Sequence, residues 1–155
     1  MKFKPNYIVI PAITVAVALL GGILTSSGMT WYNTVLNRPD IIPPSWAFPI
    51  AWNIIFLLTT ISALVAFNRS TKKEKQLVAF LFLFNAVLNI LWSLLFFKLH
   101  LISASLVEMI ILEIVNLALI FKLWQISKSA SLMIWPYLLW VGFATYLTYL
   151  IWLIN

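Results

Sequence analysis

Five long apolar segments, separated by short polar connections, follow one another along the chain. They cover approximately residues 7–26, 46–67, 76–97, 101–124 and 132–154. A helix needs about 20 apolar residues to cross a hydrocarbon core about 30 Å thick, and each segment is long enough. Since an isolated strand would leave its backbone groups unpaired in lipid, uninterrupted spans of this kind are helices. The pattern therefore predicts an all-α membrane protein, a five-transmembrane-helix bundle that forms one domain over residues 1–155.

The connection over residues 27–45 is the only one long enough to have a structure of its own. It contains two aromatic residues, Trp31 and Tyr32, and Pro39, Pro43 and Pro44 stiffen it. A stiff, aromatic-rich loop of this length suits a lid over a cavity. The alternative is an interfacial anchor, because Trp and Tyr favour the level of the lipid headgroups in any membrane protein.

The composition changes the picture by excluding whole classes of protein. Hydrophobic residues make up 63% of the chain and charged residues 9%, against about 25% charged in soluble domains. The net charge is +6, but the basic residues lie singly or in one short run, so we expect a lipid bilayer and no nucleic acid as partner. The chain has no cysteine and one histidine, His100, which excludes disulfides and multi-histidine metal sites. We expect no metal and no cofactor.

Lysine and arginine are distributed unevenly between the two sides of the predicted bundle. The side that includes the N-terminus carries Lys2, Lys4, Arg69, Lys72, Lys73, Lys75, Lys122 and Lys128. The opposite side carries Arg38 and Lys98. Because cytoplasmic connections are enriched in Lys and Arg, the N-terminus is predicted to be cytoplasmic in a bacterial cell membrane.

Aromatic residues recur on one face of two predicted helices. Phe48, Trp52 and Phe56 are spaced by four residues and so stack along the second helix. Trp52 falls inside the bilayer, where its indole N–H needs a partner, whereas Phe is compatible with core packing or lipid contact. The last helix has a comparable face, formed by Trp140, Phe143, Ala144 and Leu147. The small Ala144 beside two large rings leaves room for a flat ligand.

The third helix places polar groups inside the hydrocarbon core. One face carries Asn85, Asn89, Trp92, Ser93 and Phe96. Such groups should face the interior of the bundle. Hydrogen bonds between helices explain them as well as ligand binding does.

Small residues also form a stripe on the first helix, at every fourth position: Thr14, Ala18, Gly22 and Ser26. A stripe of this kind lets helices approach closely, either within the bundle or across the seam of a homodimer. Two acidic residues, Glu108 and Glu113, lie inside the fourth span. They point about 140° apart on an ideal helix and are interpreted as hydrogen-bonded or oligomer-contact residues, with proton-coupled transport as the alternative.

The order of these motifs resembles the translocator protein family, also called tryptophan-rich sensory proteins or peripheral benzodiazepine receptors. The motifs are Trp31-Tyr32, Arg38-Pro39, Pro43-Pro44-x-Trp46, Phe48-Pro49-x-x-Trp52, Asn89-x-x-Trp92-Ser93-x-x-Phe96-Phe97 and Pro136-Tyr137-x-x-Trp140-x-x-Phe143-Ala144-Thr145. The likeness covers nearly the whole chain, and it rests on the order and spacing of motifs that are weak individually.

The resemblance implies frequent dimerisation and an internal pocket for porphyrins, isoquinoline-type synthetic ligands and, in animal members, cholesterol. Family pocket positions fall on Tyr32, Pro43, Trp52, Phe56, Asn89, Trp92, Trp140 and Ala144. The proposed cholesterol pattern needs a Lys or Arg shortly after its Tyr, but no basic residue follows Tyr149. Sterol binding is therefore a weaker expectation than porphyrin binding.

The leading hypothesis is a homodimeric membrane receptor for protoporphyrin IX and related flat hydrophobic molecules, with Phe48 and Phe143 completing the set of rings. A second hypothesis is light-dependent degradation of the bound porphyrin, with Trp52 or Trp140 as the electron donor and therefore as the catalytic residue. A third is a small-molecule transporter or a stress-response regulator of tetrapyrrole metabolism. The sequence has no conventional acid, base or nucleophile constellation.

Overall fold

In a computed structural model, which describes residues 4–155, that part of the chain forms six α-helices and no strands. The helices are α1 (Asn6–Thr34), α2 (Ala47–Arg69), α3 (Lys72–Ser93), α4 (Ile102–Ile126), α5 (Lys128–Leu132) and α6 (Trp135–Ile154). A π-helical turn, Leu94–Lys98, continues α3. Five stretches are long and apolar enough to cross a membrane: α1, α2, α3 with its π-helical turn, α4, and α5 together with α6. The predicted all-α class with five spanning helices is confirmed.

Helix α4 is the centre of the bundle, and α1 is its most peripheral member. α4 packs against both α3 and α6 and has the largest buried share of the five spans. α1 has the smallest buried share, and its only buried residues are Val17 and Gly28. Helix α1 is therefore the most exposed of the five spans.

Helix α1 is longer than the apolar pattern predicts, because it continues to Thr34. The first eight residues of the predicted loop, residues 27–34, are helical. Hydropathy marks only the part of a helix that faces hydrocarbon, and no proline lies between Pro11, near the start of α1, and the end of the helix at Thr34. The loop that connects α1 to α2 therefore covers residues 35–46 only.

This shorter loop is fixed to the end of the bundle by packing and by hydrogen bonds. Leu36 is buried against Phe96, Phe97 and Ile151. The backbone N–H of Asn37 donates to Oδ1 of Asn155 at 2.9 Å, and Nδ2 of Asn155 donates to the carbonyl of Asn37 at 3.0 Å. The loop and the last turn of α6 thus hold each other in place.

At the other end of the bundle, polar contacts join the N-terminal segment, the α2–α3 connection and the end of α4. Nζ of Lys4 donates to Oδ1 of Asn68 at 3.1 Å. Thr71 and Glu74 form a reciprocal capping box that starts α3. Glu74 also pairs with Lys122 of α4, at 3.2 Å between Oε1 and Nζ. These three parts of the chain therefore lie at the same end.

Candidate functional site

A cavity of about 460 Å³ lies inside the bundle, and we call it the main cavity. Side chains from α1, α2, α3 with its π-helical turn, and α6 line it, together with Ile42 and Ser45 of the loop. Pockets that enclose drug-sized ligands span about 300–1,000 Å³, so the main cavity is large enough for such a molecule. The loop contributes to the wall at one end, and its role as a lid stays a prediction.

Eight of the ten residues predicted to bind a ligand line the main cavity. They are Tyr32, Phe48, Trp52, Phe56, Asn89, Trp92, Trp140 and Ala144. The sequence therefore predicted the aromatic part of the cavity wall, and both Trp52 and Trp140 face inward.

Pro43 and Phe143 are the two predicted residues outside the lining. Ile42, the neighbour of Pro43, lines the cavity. Phe143 contacts the Trp140 ring, with 5.9 Å between ring centroids. Contact of Pro43 and Phe143 with a ligand therefore stays a prediction, and Phe143 packs against one ring of the wall.

The rings of the main cavity contact one another across three helices. The Trp52 ring stacks on Phe56 at 5.5 Å between centroids and lies 6.1 Å from Trp92 of α3. Phe48 meets Trp140 of α6 edge to face at 5.7 Å. These contacts form one aromatic wall whose faces suit a planar apolar molecule.

One polar group in this wall has no partner. Nε1 of Trp92 is buried and makes no hydrogen bond to any residue that the structure describes. A buried N–H of this kind is costly unless it finds an acceptor. Trp92 lines the main cavity with other atoms of its ring, because Nε1 itself has almost no accessible surface and lies out of reach of a ligand in that space.

Sequence reasoning missed the contribution of α1. Its small residues line the main cavity: Ala18, Gly21, Gly22, Thr25 and Ser26. One interpretation predicted that this stripe packs closely within the bundle. A Cβ added at Gly22 would meet no atom within 4 Å, so the stripe does not pack closely at this position. The only signal was the small size of these side chains, which does not distinguish close contact from empty space. The homodimer predicted from the same stripe stays a prediction.

The asparagines of α3 hydrogen-bond to neighbouring helices. Nδ2 of Asn85 donates to Oδ1 of Asn116 on α4, and Nδ2 of Asn89 donates to the hydroxyl of Tyr137 on α6, both at 2.8 Å. Asn89 nevertheless lines the main cavity. The interpretation as hydrogen bonds between helices is therefore confirmed for Asn85 and Asn89, and ligand binding by Asn89 stays a prediction.

The acidic residues of α4 are separate from the main cavity. Glu108 is buried, and neither of its carboxyl oxygens has a hydrogen-bond partner within residues 4–155. The expected hydrogen bond between helices is therefore not present at Glu108. Glu113 lies beside α6: its Oε1 is 3.0 Å from the position that a Cβ of Gly142 would occupy. Neither residue adds a titratable group to the cavity wall.

His100 does not line the main cavity either; it stacks on Trp31 with 4.1 Å between ring centroids. It has a left-handed backbone, with φ 58°, just after the π-helical turn. No three His, Asp or Glu side chains among the described residues come together in a way that would hold a metal ion.

Comparison with known proteins assigns the chain to a family. The model of the TspO/MBR family matches residues 9–153. The chain is 36% identical to the tryptophan-rich protein TspO of Chlorobaculum tepidum over 90% of this chain and 89% of that protein. It is 31% identical to protein CrtK of Rhodobacter capsulatus, over 86% and 83%. It is 25% identical to the translocator protein of Homo sapiens, over 83% and 76%. The resemblance that the motifs indicated is confirmed: this integral membrane protein belongs to the TspO/MBR family.

Proposed function

We propose that this protein is a membrane receptor that binds porphyrins and related flat hydrophobic molecules in the main cavity. The observation that carries the proposal is the aromatic wall that α2, α3 and α6 build around an open space of about 460 Å³. Offset and edge-on contacts between rings stabilise an aromatic pair by about 0.5–1.5 kcal/mol beyond the burial of area. A planar macrocycle can make several such contacts at once.

One charged side chain near the main cavity supports a ligand that carries a carboxylate at its edge. The guanidinium of Arg38 lies 5.2 Å from the centre of the Tyr32 ring, and Tyr32 lines the cavity. Arg38 is therefore placed near the loop-covered end, where it can pair with a carboxylate such as a porphyrin propionate.

The usual axial ligands of haem iron are scarce in the lining. Haem iron is usually held by His, Cys, Met or Tyr. His100 does not line the main cavity and the chain has no cysteine, so Met29 and Tyr32 are the lining residues of these types. The guanidinium of Arg38 already lies over the Tyr32 ring. The proposed ligand is therefore protoporphyrin IX without metal.

The test is protoporphyrin IX binding to a double variant, Trp52→Phe with Trp140→Phe, in detergent. We expect the affinity to fall about tenfold and the quenching of tryptophan emission to decrease, because two indoles against the ligand are replaced by smaller rings. The measurement is a titration that follows both porphyrin absorbance and tryptophan fluorescence.

The matched control is Trp124→Phe with Trp152→Phe, which removes two indoles that are 49% and 47% exposed and line no part of the main cavity. This control should bind protoporphyrin IX as the unmodified protein does. Equal affinity in both double variants would refute the assignment of the site.

We also propose that the end of the bundle that carries Lys4 faces the cytoplasm. Basic residues concentrate there, including Arg69 and Lys122, whereas the other end has Arg38 and Lys98. Lys2 belongs to the same charge pattern but lies outside the described residues. A fluorescent protein fused to the N-terminus should be bright, and alkaline phosphatase fused to the C-terminus should be active. The reverse pair of results would overturn this orientation.

A further inference from the structure

At the end of the bundle that carries Lys4, four further basic side chains are exposed, and we call them the basic patch: Arg69, Lys72, Lys73 and Lys128. None of the four forms an ion pair with a carboxylate among residues 4–155. Glu74, the one acidic residue at this end, already pairs with Lys122. The basic patch therefore carries a positive charge that the protein itself does not neutralise, and a negatively charged partner would be attracted to it.

Contacts between the helices bring the members of the basic patch to neighbouring positions. Nη1 of Arg69, at the end of α2, donates to Oγ of Ser127 at 3.1 Å, and Lys128 follows Ser127 as the first residue of α5. Lys72 and Lys73 start α3, which the ion pair between Glu74 and Lys122 joins to α4. The four charges thus come from separate parts of the chain that the fold places at one end.

Arg69 and Lys128 are fixed by the protein and still accessible to a partner. A guanidinium has five N–H donors, and the bond to Ser127 uses one of them. Since Arg69 is exposed, its other donors are available to a phosphate, which arginine binds through two parallel hydrogen bonds. Nζ of Lys128 lies 5.4 Å from the centre of the Trp124 ring, and both of these side chains are exposed.

Exposed apolar side chains lie within about one helical turn of the basic patch, on the side of the hydrocarbon core. They are Leu77 of α3 and Phe121 and Trp124 of α4. Tryptophan favours the level of the lipid headgroups, and Lys128 lies over this one. Cations at the headgroup level with apolar surface directly below them complement a molecule that has an anionic head and hydrocarbon chains. A soluble anion or an acidic protein would use the cations only.

From this arrangement we propose that the basic patch binds the headgroups of anionic phospholipids. Arg69 and Lys128 donate to phosphate oxygens, Lys72 and Lys73 add charge, and the acyl chains lie against Leu77, Phe121 and Trp124. Basic connections direct the insertion of membrane proteins in general. The proposal adds that the folded protein retains anionic lipids here in preference to zwitterionic ones. It depends neither on porphyrin binding nor on the orientation of the protein in the membrane.

The experiment is native mass spectrometry of the full-length protein in detergent, titrated with dioleoylphosphatidylglycerol or with dioleoylphosphatidylcholine. The two lipids have the same acyl chains and the same phosphate, but the choline group cancels the charge of the second. We expect phosphatidylglycerol to bind at least fivefold more tightly. Arg69→Gln with Lys128→Gln should weaken its binding more than tenfold and leave that of phosphatidylcholine unchanged, since each basic residue near the headgroups contributes about fivefold.

The matched control compares two single lysines. Lys128→Gln should weaken phosphatidylglycerol binding about fivefold, whereas Lys98→Gln, which removes an exposed lysine at the opposite end, should change it less than twofold. If the double variant does not fold, as judged by circular dichroism and gel filtration, Lys72→Gln with Lys73→Gln repeats the test on the other half of the basic patch. Excess sodium phosphate, compared with sodium chloride at equal ionic strength, should not displace the lipid.

Four results would overturn the proposal. They are equal affinities for the two lipids, a preference for phosphatidylglycerol that survives the double variant, equal effects of Lys128→Gln and Lys98→Gln, and displacement of the lipid by free phosphate. The last would assign the basic patch to a soluble phosphate compound. Equal affinities for the two lipids would leave the unpaired cations to an acidic protein partner.

Discussion

Replacing Gly28 by alanine should destabilise the protein strongly, and replacing it by valine should prevent stable folding. Gly28 is one of the two buried residues of α1, and a Cβ there would overlap the backbone carbonyl group of Phe97 in the π-helical turn. The overlap involves main chain, so no side-chain rotation relieves it. Overpacking of this kind costs about 1–3 kcal/mol or more. Thermal unfolding in detergent measures the loss.

The control for this prediction is Gly22→Ala in the same helix. In a helix interior, alanine is about 1 kcal/mol more favourable than glycine, and a Cβ at Gly22 meets no atom within 4 Å. Gly22→Ala should therefore raise the melting temperature, whereas Gly28→Ala should lower it. A Gly28→Ala variant as stable as the unmodified protein would show that α1 does not approach the π-helical turn as closely as described.

The substitution Gly22→Phe should remove ligand binding to the main cavity while the fold is kept. Gly22 lines that cavity and has free space where a side chain would begin. Side chains in a helix lean towards its N-terminus, so the new ring would lie over Ala18, which lines the same cavity. We expect the affinity for protoporphyrin IX to fall more than tenfold, because the ring occupies the volume that the ligand needs.

The same titration on Gly22→Ala serves as the matched control, with an expected change in affinity below about threefold, since one methyl group takes little of the space. Unchanged binding to a folded Gly22→Phe variant would mean that the ligand does not lie against α1. Circular dichroism and gel filtration of both variants show whether they are folded.

Most of the fold could be predicted because lipid permits few alternatives. Apolar runs of about 20 residues fix the number of spanning helices, and the backbone must satisfy its hydrogen bonds within each of them. The end of α1 at Thr34 could not be predicted in this way, because hydropathy follows the surroundings of a helix and not its hydrogen bonds. The π-helical turn Leu94–Lys98 left no sign in the apolar pattern either.

The candidate site could also be predicted only in part. Large aromatic residues are easily recognised in a sequence, and Trp52, Trp92 and Trp140 all line the main cavity. Empty space has no sequence signal of its own, so the part of the cavity wall that α1 provides was not expected. Whether a small residue touches its neighbour, as Gly28 does, or faces a void, as Gly22 does, is decided by how two helices cross.

The small residues that α1 contributes to the cavity wall have a consequence for how a ligand would enter. Gly22 and Ser26 of α1 line the main cavity and are exposed, and the cavity is only partly enclosed, so we expect an opening along α1 towards the acyl chains. A hydrophobic molecule would then enter sideways after dissolving in the membrane, without crossing the aqueous end. Its occupancy would follow its mole fraction among the lipids, and apparent affinities would change with the amount of membrane in the assay.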